Sequence, residues 1–166
     1  MLIPRINPRY FYDTIDYMKV LWTDGSASPN PWPGGWAVIE NGKPVRLGRK
    51  DNTTNIVMEG CAMIAAIEYA GEEGCEIHSD SQFWINVLTK WADNWRKVDS
   101  GGNVAWKKKS GEIQNLELVK QLYYLYHKYP VKLEFVYGHN GTEMNELADE
   151  WANRAREGKV LSLQDA

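Results

Sequence analysis

Tyr17-Met18-Lys19-Val20-Leu21-Trp22-Thr23-Asp24-Gly25-Ser26 opens the periodic part of the chain. Its apolar and aromatic residues predict a strand over 17–23 that runs directly into an acid followed by glycine. Upstream, residues 1–16 show no clean period and contain Pro4 and Pro8, which reads as an arm anchored by Tyr10, Phe11 and Tyr12. Downstream, the Pro- and Gly-rich residues 28–35 predict a loop. Short strands are expected over 36–40 and 45–48 around Asn41-Gly42, a hairpin signal. Thr53-Thr54-Asn55 offers capping side chains for a helix whose stripe is Met58, Ala62, Ala65 and Tyr69. A strand over 75–79 delivers Asp80 to its C-terminal end. Helical segments follow over 83–88, 91–95 and 114–127, then a strand at 131–135. A last helix buries Leu147, Ala148, Trp151, Ala152 and Ala155. Three strands, then helix, strand, helices, strand and helix, make an α/β domain: a mixed sheet with helices packed on it.

The chain has 166 residues, 43% of them hydrophobic and 25% charged, the balance of one soluble domain with a sizeable core. No apolar run approaches the roughly 20 residues that span a bilayer. Arg5, Arg9, Asp13 and Asp16 interrupt the stretch where a signal peptide needs an apolar core. Cys61 and Cys75, the two cysteines, suggest neither a disulfide framework nor a zinc site, so a reducing, cytoplasmic setting is expected. The net charge of −3 hides an asymmetry. Residues 90–109 carry six lysines and arginines against two aspartates, a local excess of +4. A polyanion responds to where positive charge sits rather than to its total.

Asp24, Glu59, Asp80 and Asp149 stand in four separate contexts, each at the edge of a predicted element. Glu59 falls in the expected first turn of its helix, and Asp149 lies off the buried stripe of the last one. Each has a plain alternative: a turn-forming Asp-Gly, a first-turn acid favoured by the helix dipole, a helix cap, a solvated helix residue. Brought together, they repel. Two unit charges about 4 Å apart cost roughly 4 kcal/mol at an effective dielectric near 20. Hard divalent cations with oxygen ligands relieve that cost and point to phosphoryl-transfer chemistry.

In chain order stand Thr23-Asp24-Gly25-Ser26, the Asn30-Pro31 and Gly34-Gly35 loop, Thr54-Asn55, Met58-Glu59, Asp80-Ser81-Gln82, Trp91, Asn94-Trp95, Gly138-His139 and Gly141, and Asn145-Glu146 with Asp149. In this combination and order the chain resembles type 1 ribonucleases H over about residues 18–157. The resemblance implies a ribonuclease H-like fold: a five-stranded mixed sheet, three antiparallel strands then two parallel, flanked by helices and carrying a basic protrusion. It implies an arm at 1–16, a catalytic domain at 17–158 and a tail at 159–166. The implied activity is hydrolysis of the RNA strand of RNA–DNA hybrids, leaving 5′-phosphate and 3′-hydroxyl ends. Asp24, Glu59, Asp80 and Asp149 would hold two Mg²⁺ ions, with Mn²⁺ able to substitute, and His139 would assist proton transfer or product release. Gly25, Ser26, Asn30, Thr54, Asn55, Gln82, Trp91, Trp95, Trp106, Lys107, Lys108 and Asn115 would contact the hybrid. Nothing in the sequence demands a dimer, so a monomer is expected.

The chain departs from the family's pattern in places. Ile56-Val57 stand where relatives often carry Asn-Arg before Met-Glu, Trp32 replaces a common glycine, and residues 98–104 form an insertion. No carboxylate is touched, so substrate affinity and cleavage position are affected rather than metal chemistry. Two other functions remain open on residues alone: another nuclease of the same fold, such as a resolvase or an exonuclease, and a non-catalytic hybrid-binding module.

Overall fold

The computed structural model describes residues 18–29, 32–137 and 143–158. The expected arm and tail, Asn30 and His139 lie outside the described residues. Strands β1 (Lys19–Ala27), β2 (Trp32–Glu40) and β3 (Lys43–Thr53) form an antiparallel meander. Strand β4 (Cys75–Ser79) pairs parallel to β1 on its other side, and β7 (Val131–Phe135) pairs parallel to β4. The sheet order β3-β2-β1-β4-β7 is the five-stranded mixed arrangement expected.

Helix α1 (Asn55–Ala70) starts where the capping residues predict, with the Thr54 hydroxyl accepting from the Val57 amide at 3.2 Å. After β4 come α2 (Gln82–Asn86), a π-helical turn at Val87–Trp91 and α3 (Ala92–Trp95). Helices α4 (Leu116–Lys128) and α5 (Glu143–Arg156) flank β7 in sequence. Between α3 and α4 lies a small hairpin of β5 (Arg96–Val98) and β6 (Val104–Trp106). It takes up the insertion, where the polar and glycine residues 99–103 between Val98 and Val104 carry no apolar alternation to signal strands. The Asp99 carboxylate closes its turn, accepting from the Gly101 and Asn103 amides at 2.8 and 2.9 Å.

The central strands bury both faces. In β2, Val38 joins the main core with Leu21, Met63, Ile67, Ile77 and the fully buried Trp84. Its neighbours Ala37 and Ile39 point the other way, under Ala148 and Ala152 of α5. Strand alternation therefore supplies two cores from one sequence. Gly35 permits the second: a Cβ there would overlap the Arg156 amide and the Ala152 carbonyl of α5. Among the described residues no helix is long and apolar enough to cross a membrane.

Among the boundaries that move, two bear on the site. Strand β1 does not end at 23. It continues through Asp24 to Ala27, because residues 24–27 pair with 34–37 of β2 across the region expected as loop. Pro33, Gly34 and Gly35 disguise that partner as a turn. Glu59 is the fifth residue of α1, one full turn in, since the helix begins at Asn55.

Candidate active site

Strands β1 and β4 run side by side in the same direction, Trp22 opposite His78, so the residues that follow them emerge at one edge. Asp24 and Asp80 both leave that edge. Helix α1 crosses it at Gly25, where a Cβ would collide with the Glu59 amide nitrogen and the Met58 carbonyl carbon. With no side chain at 25, the two backbones touch and Glu59 is set beside Asp24. Carboxylate oxygens of Asp24, Glu59 and Asp80 lie within 4.8 Å of one another. Asp149 of α5 joins through Asp24, with which it shares a hydrogen bond. The sequence-derived quartet is thus a close trio with a fourth member attached on one side.

Asp24 is 7% exposed. Burial first, then the neighbouring Asp80 and Asp149, push its carboxyl up to about 9, although the Gly25 amide donates to it at 2.9 Å. Burial likewise raises Glu59 to about 7; a hydrogen bond from Ser81 opposes the rise and the charge of Asp80 adds to it. Protein groups alone therefore leave this pocket holding protons near neutrality. A close-packed donor set of hard carboxylate oxygens fits a hard divalent cation.

Chains of known kind share this pattern. The family model described as RNase H matches residues 16–157. A protein named ribonuclease H from Granulibacter bethesdensis is 37% identical over 142 residues, covering 82% of this chain and 90% of that protein. One from Syntrophomonas wolfei is 37% identical over 144 residues, covering 82% and 94%. Another from Orientia tsutsugamushi is 34% identical over 151 residues, covering 88% and 84%. The chain belongs to the ribonuclease H family.

As a ribonuclease H, it places the expected nucleic-acid contacts in distinct settings. Trp91, Asn94, Trp95, Lys97 and Lys107–Lys109 line one groove of about 940 Å³. The Trp91 and Trp95 rings lie 6.0 Å apart and Lys108 sits 5.7 Å over Trp95, so helix packing and groove lining coexist there. Trp106 is elsewhere: its ring meets Tyr123 edge-on at 5.3 Å. Asn115 lies in the left-handed region, φ 56°, immediately before α4, and lines a different groove with Trp36, Lys50 and Cys61. Thr54 caps α1, and the Asn55 side chain accepts from the Ala27 amide at 2.6 Å, tying the helix start to the end of β1. Gln82 is exposed at the start of α2 and donates to Asn86 at 3.1 Å. His78 stacks on Trp22 at 4.3 Å, and His127 packs on Tyr123 at 4.2 Å.

Three residues of the site escape a reading of the sequence. Ser81 serves both as cap of α2, accepting from the Trp84 amide at 3.3 Å, and as donor to Glu59. Asn153 and Arg156 reach Ser26 and the flank of Asp149. Their signal was available in principle, since positions four and seven after Asp149 share its helix face.

Proposed function

We propose that this chain hydrolyses the RNA strand of RNA–DNA hybrids, with Asp24, Glu59, Asp80 and Asp149 holding two Mg²⁺ ions. The convergence of three carboxylates within 4.8 Å at one sheet edge carries the reading. Divalent cations bound there supply Lewis acidity toward a phosphate and neutralise its charge. Asp24, which interacts with both Asp80 and Asp149, would serve both ions. Glu59 and Asp80 define one side and Asp149 the other. His139 is assigned to proton transfer or product release, and the products carry 5′-phosphate and 3′-hydroxyl ends.

Choice of substrate falls to the surface around the pocket. The ribose 2′-hydroxyl distinguishes RNA, being both donor and acceptor. Gly25, Asn30, Glu59 and Gln82 are assigned to the RNA side, Thr54, Asn55 and Asn115 to the DNA backbone, and Ser26 to the hybrid without assignment to a strand. Trp91, Trp95, Trp106, Lys107 and Lys108 are assigned to the basic protrusion that grips the DNA strand, with its lysines contacting phosphates. The protein acts as a monomer in the cytoplasm, where Cys61 and Cys75 stay reduced; both are free.

The test is one set of incubations: labelled RNA–DNA hybrid, DNA duplex and RNA duplex, each with Mg²⁺, with Mn²⁺ and with EDTA. Cleavage of the hybrid's RNA alone, abolished by EDTA, is expected. Equal cleavage of a DNA duplex would favour a resolvase- or exonuclease-like enzyme. Tight hybrid binding without cleavage under both metals would make the chain a binding module.

A further inference from the structure

Ser26 follows Asp24 by two residues on β1, and its hydroxyl is engaged on both sides. It donates to the Asn153 side-chain oxygen at 2.9 Å and accepts from the Arg156 guanidinium at 3.2 Å. The Asn153 amide nitrogen in turn donates to the Asp149 carboxylate at 3.4 Å, one helical turn back. The Arg156 carbonyl accepts from the Arg49 side chain at 3.0 Å, and the helix backbone at 156 and 152 lies directly on Gly35. Strand and helix are therefore joined at the backbone by a glycine and at the side chains by a hydrogen-bonded chain. That chain ends on the one carboxylate outside the close trio.

We propose that Ser26, Asn153 and Arg156 are positioning residues for Asp149: they strap α5 to the end of β1 and orient the fourth carboxylate toward Asp24. This rests on the reading of Asp149 as a metal-holding residue. The chemistry follows from geometry. Asp24, Glu59 and Asp80 are fixed by the junction of β1, β4 and α1, whereas Asp149 arrives on a separate helix whose rotation would swing its oxygens past the site. A carboxamide suits the junction, because its oxygen accepts from Ser26 while its nitrogen donates to Asp149, roles that no hydrocarbon or carboxylate side chain fills together. The Arg156 charge beside the Ser26 oxygen reinforces the bond that hydroxyl donates. The same arrangement gives Ser26 a task within the protein in addition to any contact with RNA.

The experiment is calorimetric titration of Mg²⁺ into the metal-free protein, without substrate, for Asp149→Asn, Asn153→Ala, Ser26→Ala, Ser26→Thr and the Ser26→Ala/Asn153→Ala double variant. Hybrid KM is measured in parallel at saturating Mg²⁺. Asn153→Ala and Ser26→Ala should each weaken Mg²⁺ binding about tenfold, the usual scale for groups that orient a ligand. The double variant should be no weaker than the worse single, and Ser26→Thr, which keeps the hydroxyl, should bind like the parent. In Asn153→Ala, KM for hybrid should stay unchanged. If Asp149→Asn weakens binding but Asn153→Ala and Ser26→Ala stay within twofold of the parent, the strap is refuted. Additive losses in the double variant would refute it as well, as would a raised KM with unchanged Mg²⁺ affinity in Asn153→Ala. If Asp149→Asn itself leaves Mg²⁺ binding untouched, the metal assignment beneath the proposal fails instead.

Discussion

The carboxylate pocket and the basic groove are built in opposite ways. At the pocket, backbone meets backbone: Gly25 lies against the Glu59 amide, and β1 and β4 pair in register up to Trp22 and His78. At the groove, Lys107–Lys109 follow a three-residue strand at the rim of a surface hairpin, beside the exposed Trp91. The first arrangement fixes charge in a place that disfavours it, so that Asp24 and Glu59 hold protons well above the usual carboxylate range. The second displays charge in water, where it attracts a polyanion and tolerates imprecision. Chemistry demands preorganisation of that first kind, and affinity for a phosphate backbone does not.

The sharpest way to break this contrast is Asp24→Asn. Turnover should fall by about 10³-fold or more, while hybrid affinity measured in EDTA stays near that of the parent. A variant within about tenfold of the parent would remove Asp24 from the centre of the site.

Gly25→Ala comes next. The methyl group would enter the α1 backbone, so overpacking should cost about 1–3 kcal/mol in denaturant unfolding. Glu59 would move from Asp24, lowering kcat about 10²-fold at fixed Mg²⁺. Parental activity would show that the close approach is dispensable.

Replacing Lys107, Lys108 and Lys109 together by alanine should act on the other region alone. KM should rise roughly 10- to 30-fold at physiological salt with kcat preserved, and the slope of log affinity against log salt should flatten by about 2–3. A kcat loss equal to the KM rise would mean that the two regions are coupled.

The smallest effect is one of pH. Asp24 is protonated in the folded, metal-free protein up to about 9 but ionises near its ordinary value when unfolded. The native state thus binds the extra proton, and metal-free stability should fall as pH rises between those limits. Asp24→Asn should flatten that dependence and raise the metal-free melting temperature at pH 8 by at least about 2–4 °C, or about 1 kcal/mol for a domain of this size. Because Mg²⁺ must displace those protons, the concentration needed for half-maximal activity should drop from pH 7 to 9. A flat profile would contradict the pocket's electrostatics.

Much of this was legible in the residues because local rules agree with the global fold. Thr54 caps α1 as its side chain and position predict, and alternation at 131–135 marks β7. The same rules mislead where tertiary contact overrides them. Gly34 and Gly35 read as loop, yet they pair with β1 and seat α5. The turn of the β5–β6 hairpin is closed by one aspartate's hydrogen bonds, and the hairpin left no apolar pattern to find.

By itself the sequence determined which residues are acidic, which elements carry them and which family's order they follow, because these depend on composition and on short-range periodicity. Only the tertiary structure decided that three carboxylates converge while the fourth arrives from α5 and is strapped to Ser26. It also decided that Glu59 sits in the second turn of its helix. Those outcomes depend on backbone approach and on hydrogen bonds between residues more than a hundred positions apart, and no local pattern encodes such distances.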